Sequence, residues 1–530
     1  MHGLNCNQGM ADRRQWLALA AATAGTLRLP RSAWSQPRWT SNPFSLGVAS
    51  GSPAHDSVVL WTRLQLPEPM PGPVTLRWEV AHDEGFVRVV RSGQVQAQPE
   101  LAHAVHVEVS GLEPDRWYFY RFMSGEAVSP LGRTRTFPAP EASPARLRLA
   151  YASCQRWEHG YFSAWRHMRD ENLDAVLFLG DYIYEYPGAF NAVRAVSGGW
   201  VLTLDDYRQR YALYKSDADL QAMHAACPWL VTWDDHEVQN DYAGLHAGSS
   251  GVPMLGTVAD FAARRAAAYQ AWYEHMPVRA SVLTQGLGGL ARGAEMRIYQ
   301  TLRFGRLASI HLLDGRQYRD PQVCTSSGSP GASMVDPASC PAWSDARRSY
   351  LGPGQEQWLA SALARSIGQW NVIGQQTLFG PRDALPGPGQ RLWNDGWDGY
   401  AGARTRLTDA LRRNQVTNPV LLGGDVHENW VGHVKSDYAD AHSANVAVEF
   451  CGTSITSRSG GNAKTAQRLA ENPHFVFADA ERKGYGVAEF TPRRLITTLR
   501  VVDDVTRQDA GISTLARFEV PAGRAVIERS

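Results

Sequence analysis

Apolar residues in the first quarter of the chain come in short runs and alternations. Ser57–Arg63, Val74–Val80, His106–Val109 and Trp117–Phe122 are rich in Val, Trp and Tyr, lack a helical period and are separated by Gly and Pro clusters. They predict a small all-β sandwich over 44–138. A Pro/Ala/Ser stretch, Pro138 to Pro144, reads as a linker. Beyond it the rhythm changes. Leu147–Ser153, Ala175–Leu179, Trp229–Trp233, Met296–Phe304, Leu307–Leu313, Trp370–Gln375 and Val420–Leu422 read as strands. Between them, Tyr161–Asp170, Leu204–Leu213, Ala218–Ala225, Phe261–His275, Gln355–Arg365 and Thr405–Arg413 have helical patterning. Strands return at Asn445–Phe450 and Gly486–Val502. Alternation of this kind predicts an α/β (α+β) domain over 146–500, with long irregular insertions and a C-terminal extension over 501–530.

At 530 residues the chain is too long for one core. Its formal net charge of +1 gives no long-range basic field for nucleic acid or an anionic membrane. Residues 1–36 read as an address rather than as fold. Arg13-Arg14 precedes a short Ala-rich apolar run, Ala18–Leu29, as in a Tat-type export signal, so the twin-arginine machinery is an expected partner and the destination periplasmic or secreted. That run is shorter than a transmembrane span, and no other stretch approaches one. In an oxidising compartment Cys324 and Cys340, which bracket a Gly/Ser/Pro-rich loop, make a natural disulfide. Cys227 and Cys451, beside apolar segments, read as small buried hydrophobes.

Chemistry concentrates where the buried strands end. One ends in Ser153-Cys154-Gln155, the next in Gly180-Asp181-Tyr182-Ile183-Tyr184-Glu185. A third ends in Asp234-Asp235-His236-Glu237, and a late one in Gly423-Gly424-Asp425-Val426-His427-Glu428-Asn429. Carboxyl ends of strands form the ligand crevice of an open α/β sheet, so these four termini are expected to converge. So many acids in one crevice would repel one another unless hard cations offset the charge. Oxygen donors with a few N and S donors, and no paired CxxC, favour mixed hard metals over structural zinc.

These motifs, with Phe44-Ser45-Leu46-Gly47-Val48-Ala49-Ser50-Gly51, Asp314-Gly315-Arg316-Gln317-Tyr318-Arg319 and Trp397-Asp398-Gly399-Tyr400, resemble the alkaline phosphatase D (PhoD) family of the metallophosphoesterase superfamily. The likeness spans roughly residues 44 to 500. It implies a β-sandwich flanked by helices behind a fibronectin-like N-terminal domain, and an exported phosphoesterase acting on phosphate mono- and diesters through metal-activated hydroxide or oxide. It also implies one Fe(III) with Ca(II). Cys154, Asp181, Tyr184, Asp235, Asp425 and His427 fall on ligand positions, with Asn240 as a further calcium candidate. His236 matches the histidine that contacts phosphate and protonates the leaving oxygen; Arg316 and Arg319 are candidates to orient phosphate. Where the superfamily usually has a strand-end histidine this chain has Gln375-Gln376, which agrees with calcium. Two alternatives stand beside this reading: a phospholipase D-type phosphodiesterase with Trp233, Trp393, Trp397 and Tyr400 as pocket walls, and a non-catalytic surface binding module.

Overall fold

A computed structural model describes residues 38–530 apart from 67–69, 249–257, 291 and 326–329. The export-signal segment 1–36 lies outside the described residues. Trp39–Ser530 forms one compact unit.

Two mixed sheets face each other at its centre. The first runs Glu528–Arg529, Ile512–Pro521, Arg494–Val502, Lys483–Phe490, Leu147–Ala152, Ala175–Phe178, Trp229–Val231, Val48–Gly51, Ser57–Arg63 and Ala104–Ser110. The second runs Gln300–Phe304, Ala308–Leu312, Trp370–Gly374, Pro419–Gly423, Asn445–Cys451, Asn429–Lys435 and Phe475–Asp479. Strand alternation explains why the central strands are apolar at nearly every position. Leu149 and Tyr151 fill the space between sheets with Leu177, Val372, Val420 and Leu422. Ala150, Ala152, Val176 and Phe178 point the other way, against Trp165, Tyr207 and Tyr211 of the covering helices. Across the second sheet, Ile373 and Leu421 pack beneath the helices Pro353–Ala364 and Ala401–Arg413. This is the expected α/β sandwich flanked by helices.

The N-terminal segment is all-β, but it shares its sheet. Its Val89–Ala97, Val74–Ala81, Trp117–Ser124, Ala127–Val128 and Gly132–Arg135 strands form one sheet. Its other three strands extend the ten-stranded sheet, with Gly51 paired parallel to Trp229. A side chain at Gly51 would meet the carbonyl oxygens of Pro277 and Trp229 at 2.4 and 2.7 Å, so only glycine allows this junction. The Trp61 indole donates to the Glu274 carbonyl at 2.9 Å, and His106 stacks on Tyr273 at 4.4 Å, fastening the module to the helix Val258–His275. At the other end, Ile512–Pro521 and Glu528–Arg529 are the last two strands of the same sheet.

The junction also encloses a cation. The Lys215 ammonium lies 4.2 Å from the Trp61 ring and 5.4 Å from that of Tyr182. Burial lowers its pKa from 10.5 to about 7. The unfolded chain therefore holds a proton between those values that the folded chain releases, and stability rises with pH across that window. Two aromatic faces offset part of the burial cost, by about 1–2 kcal/mol. Lys215→Met should stabilise the protein by about 3 kcal/mol at neutral pH and flatten the rise. Urea unfolding of both proteins from neutral pH to pH 10.5 measures this; parallel profiles would contradict it.

Candidate metal centre

The four strand ends meet as expected. Cys154, Asp181, Asp425 and His427 each adopt positive φ, at 59°, 57°, 65° and 59°. Left-handed backbone at non-glycine residues carries strain, on the order of 1 kcal/mol each, and here it turns four side chains inward at three strand ends. Gly180, at φ 107°, lets this turn touch the next: a side chain there would lie 2.5 Å from Asp234 Cβ. The Glu237 carboxylate ties the turns together, accepting backbone N–H groups from Asp181 (3.1 Å), Tyr182 (2.6 Å) and Asp234 (2.8 Å). Burial pushes its pKa up to about 7.

Ligand-type atoms of Cys154, Asp181 and His427 lie within 4.8 Å of one another, as do those of Asp181, Asp235 and His236, and of Asp234, Asp235 and Asp425. The Tyr184 hydroxyl donates to Asp181 Oδ2 at 2.9 Å, lies 3.2 Å from His427 Nε2, and accepts from Ser457 Oγ at 2.7 Å. Around this knot, Asp181 Oδ1, Asp234 Oδ2 and Asp425 Oδ2 are buried with no hydrogen-bond partner among the described residues. Carboxylate oxygens sealed from water without a donor are costly, and a cation is the group that satisfies them. Without one, burial drives the pKa values of Asp181 and Asp425 well up. Burial likewise raises the Cys154 thiol and Tyr184 phenol, with Asp181 adding to both. Burial lowers His427 to about 3, so its imidazole is neutral and able to ligate. The donor set therefore fits a metal cluster that inverts this protonation.

His236 differs from the other donors in its protonation. Its Nδ1 lies 2.7 Å from Glu185 Oε2, whose other oxygen accepts the Asn240 N–H at 2.8 Å. Burial opposes protonation of His236, yet the charges of Asp181, Glu185 and Asp235 outweigh it and hold the imidazolium well above its usual range. Asp235 is the converse case. Burial raises it, but Arg316, His236 and the Asp241 N–H (2.6 Å) prevail and set it at about 2. Asn240 borders the Glu185 side through its backbone.

Several expectations need correction. Arg316 and Arg319 do not present free forks to a phosphate. Arg316 is fully buried, donates to Asp234 and to both oxygens of Asp395 (3.1 and 2.9 Å), and lies 3.5 Å from Asp235. Arg319 donates to the Asp395 side chain at 2.5 Å and to the Asp395 and Tyr242 carbonyls. Trp233, Trp397 and Tyr400 are core rather than pocket wall: Trp233 stacks on Tyr269 at 4.3 Å, and the other two pack around Tyr350. Gln375 and Gln376 stitch strand ends. Gln375 accepts from the Trp397 indole at 3.0 Å, and Gln376 reaches Thr232 and the Trp233 and Leu313 carbonyls. Glu185, Asp234, Glu237, Asp395 and Ser457 were not singled out from the sequence. Three of them sit inside the quoted motifs, where spacing beside a ligand was the available signal; Asp395 lies two residues before the Trp397-Asp398-Gly399-Tyr400 motif, and only Ser457 lies far from all of them.

The model of the PhoD-like phosphatase family matches residues 149–499, and that of the PhoD-like phosphatase N-terminal domain matches residues 30–138. Alkaline phosphatase D of Bacillus subtilis (strain 168) is 43% identical over 532 residues, covering 96% of this chain and 87% of that protein. A solved structure described as PhoD superposes with a TM-score of 0.85 at 43% identity over 93% of both chains. The chain belongs to the PhoD-like phosphatase family, and it is an enzyme of that family rather than a non-catalytic binding module.

Proposed function

We propose that the protein is an exported, metal-dependent phosphoesterase acting on phosphomonoesters and phosphodiesters. The unpartnered buried oxygens of Asp181, Asp234 and Asp425, gathered beside Cys154, Tyr184 and His427, carry this reading. Cys154, Asp181, Tyr184 and His427 would hold Fe(III), since thiolate, phenolate and imidazole together suit a transition metal. Asp181, Asp234, Asp235 and Asp425, with Asn240 at the border, would hold Ca(II), which takes oxygen donors. When bound, the cations would neutralise charge on the phosphoryl oxygens and activate water. The chain's own residues do the rest. Glu185 holds Nδ1 of His236 and leaves Nε2 to give its proton to the departing alkoxide. Glu237 fixes the turns that aim Asp181 and Asp234. The Cys324–Cys340 disulfide agrees with an oxidising destination, and among the described residues no helix is long and apolar enough to cross a membrane.

Metal analysis of the purified protein, with turnover of a monoester, a diester and a phospholipid, tests the proposal. Iron and calcium should co-purify, and Tyr184→Phe or Cys154→Ala should lose iron and colour. Metal-free protein that hydrolyses the esters at full rate would sink it, and a phospholipid turned over far faster than either other ester would favour the phospholipase alternative.

A further inference from the structure

A phosphoesterase site needs cationic donors for the rest of its substrate, and the cations around this centre are mostly spent. Arg316 and Arg319 hold Asp234 and Asp395. Lys483 Nζ donates to the His427 carbonyl (2.8 Å), Ser459 Oγ (2.5 Å) and the Ala480 carbonyl (3.1 Å). Arg382 pairs with Glu428 at 3.0 Å, and Arg210 donates to the carbonyls of Tyr184 and Gly199. Arg458 holds the carbonyls of Phe190 and Asn191.

Arg156 differs. Two residues after Cys154, its Nε and Nη2 donate to Glu158 Oε2 at 3.2 and 2.9 Å, while its guanidinium lies 4.4 Å from the Tyr186 ring and 5.7 Å from that of Tyr184. Its backbone is pinned as well: its N–H donates to Ser457 Oγ at 3.2 Å, and its carbonyl accepts from Thr456 Oγ1 at 2.8 Å. Nη1 makes no hydrogen bond among the described residues, and it is not among the polar atoms sealed from solvent. The fork is thus locked on one edge, supported on one face and open at one nitrogen. Such a preorganised guanidinium loses little entropy when it binds an oxyanion. Its carboxylate partner is shared, because the other oxygen of Glu158 accepts the N–H groups of Gly188 (2.8 Å) and Ala189 (3.0 Å).

The position sets what this nitrogen meets. Tyr186 lies between Arg156 and the proton donor, with its ring 5.4 Å from that of His236, and Trp200 packs against it at 5.6 Å. A phosphoryl group held by the Asp181–His427–His236 donors would have Arg156 at its border, on the Tyr186 side and 5.7 Å from the Tyr184 ring, where the esterified group can lie. Phe190, 84% exposed, tips the loop held on this side by Glu158 and Arg458.

We propose that Arg156, backed by Glu158 and Tyr186, forms a subsite for a second anionic group on the ester: a further phosphate, as in a phosphodiester chain or a sugar bearing two phosphates. The subsite rests on the phosphoesterase reading above and deepens it by naming a substrate class. The test uses the metal-loaded full-length protein and two chromogenic esters: a nucleoside monophosphate nitrophenyl ester, and the same compound with a second phosphate on its sugar. Wild type should prefer the second, mainly through KM. Arg156→Met should lower kcat/KM for the doubly phosphorylated ester at least about tenfold more than for the other, as expected for one charge-assisted hydrogen-bonded contact. Arg156→Lys, which keeps the charge but not the fork, should fall between. Equal losses on both esters would mark Arg156 as merely structural and overturn the subsite, as would a wild type indifferent to the second phosphate. If wild type cleaves neither of these esters nor nitrophenyl phosphate, the phosphoesterase reading itself fails, whereas cleavage of both at a ratio unmoved by the substitution removes only the subsite.

Discussion

Asp181→Asn should cost hydrolysis at least about a thousandfold, roughly 4 kcal/mol of transition-state stabilisation, and yet make the metal-stripped protein more stable. The two effects have one cause. In the chelated protein Asp181 is a buried carboxylate whose Oδ1 has no partner, and burial raises its pKa well up, with His236 opposing and Asp235 and Asp234 adding to the rise. Asparagine keeps an oxygen for the Tyr184 hydroxyl while discarding the charge. The gain should be about 1–2 kcal/mol, the scale of an unsatisfied buried polar group. With metal restored the order should reverse, because wild type gains the free energy of ligand binding and the variant loses a donor. The pH dependence has a definite sign. A carboxyl whose folded pKa is raised takes up its proton in the folded state first, so chelated wild type should gain stability as pH falls from neutrality towards the ordinary carboxylate range. The variant should lack that gain. Thermal melts with chelator, with metals, and across pH check all three; a chelated wild type that melts at or above the variant would show that these oxygens do not wait for a cation.

Legibility from the sequence tracked burial and proximity along the chain. The double-faced central strands were readable because both faces are apolar, as at Ala175–Phe178 and Pro419–Gly423. The four donor-bearing turns were readable because each follows such a strand directly. Val89–Ala97 was not, since it is mostly exposed and its Arg, Ser, Gly and Gln residues carry no alternation. The helix Asn462–Glu471 was also missed: it is amphipathic, but its inward face holds only Thr465, fully buried, and the partly buried Leu469, so few apolar positions mark it. The strand Ile512–Pro521 follows the same rule, with buried positions only towards its end. Helix starts are set by caps, which periodicity does not count. Thr203 and Asp206 form a reciprocal capping box at Leu204, where the pattern already placed the start, whereas Pro353 after Gly352 opens a helix two residues ahead of the apolar pattern. Arginine was the least legible residue type, because its partners are distant in sequence: Arg316 meets Asp395 across 79 positions and Arg156 meets Ser457 across 301.

Arg316 gives the sharpest contrast between a substrate role and a structural one. A phosphate-binding arginine, when truncated, leaves a folded enzyme with a raised KM. The structure predicts otherwise. Arg316 is 1% exposed and lies among Asp234, Asp235 and Asp395, themselves almost wholly buried. Burial would lower its pKa, but those three carboxylates hold it well above the ordinary value, so it is charged throughout any accessible pH. Removing it leaves Asp234 without its counter-ion and Asp395 with Arg319 alone, at a cost of about 3–5 kcal/mol, a large fraction of a typical fold's stability. Arg316→Met should therefore appear as lost soluble protein or a melting point many degrees lower, and its surviving folded fraction should keep a near-normal KM. Asp234→Asn placed in the same chain should recover part of the loss, because it removes the buried charge that Arg316 alone had balanced, while Asp395 keeps Arg319. Additive losses in the double variant would break the argument, since neutralising one charge of a coupled group must relieve its neighbour. A well-folded Arg316→Met protein with an elevated KM would return the residue to the phosphate.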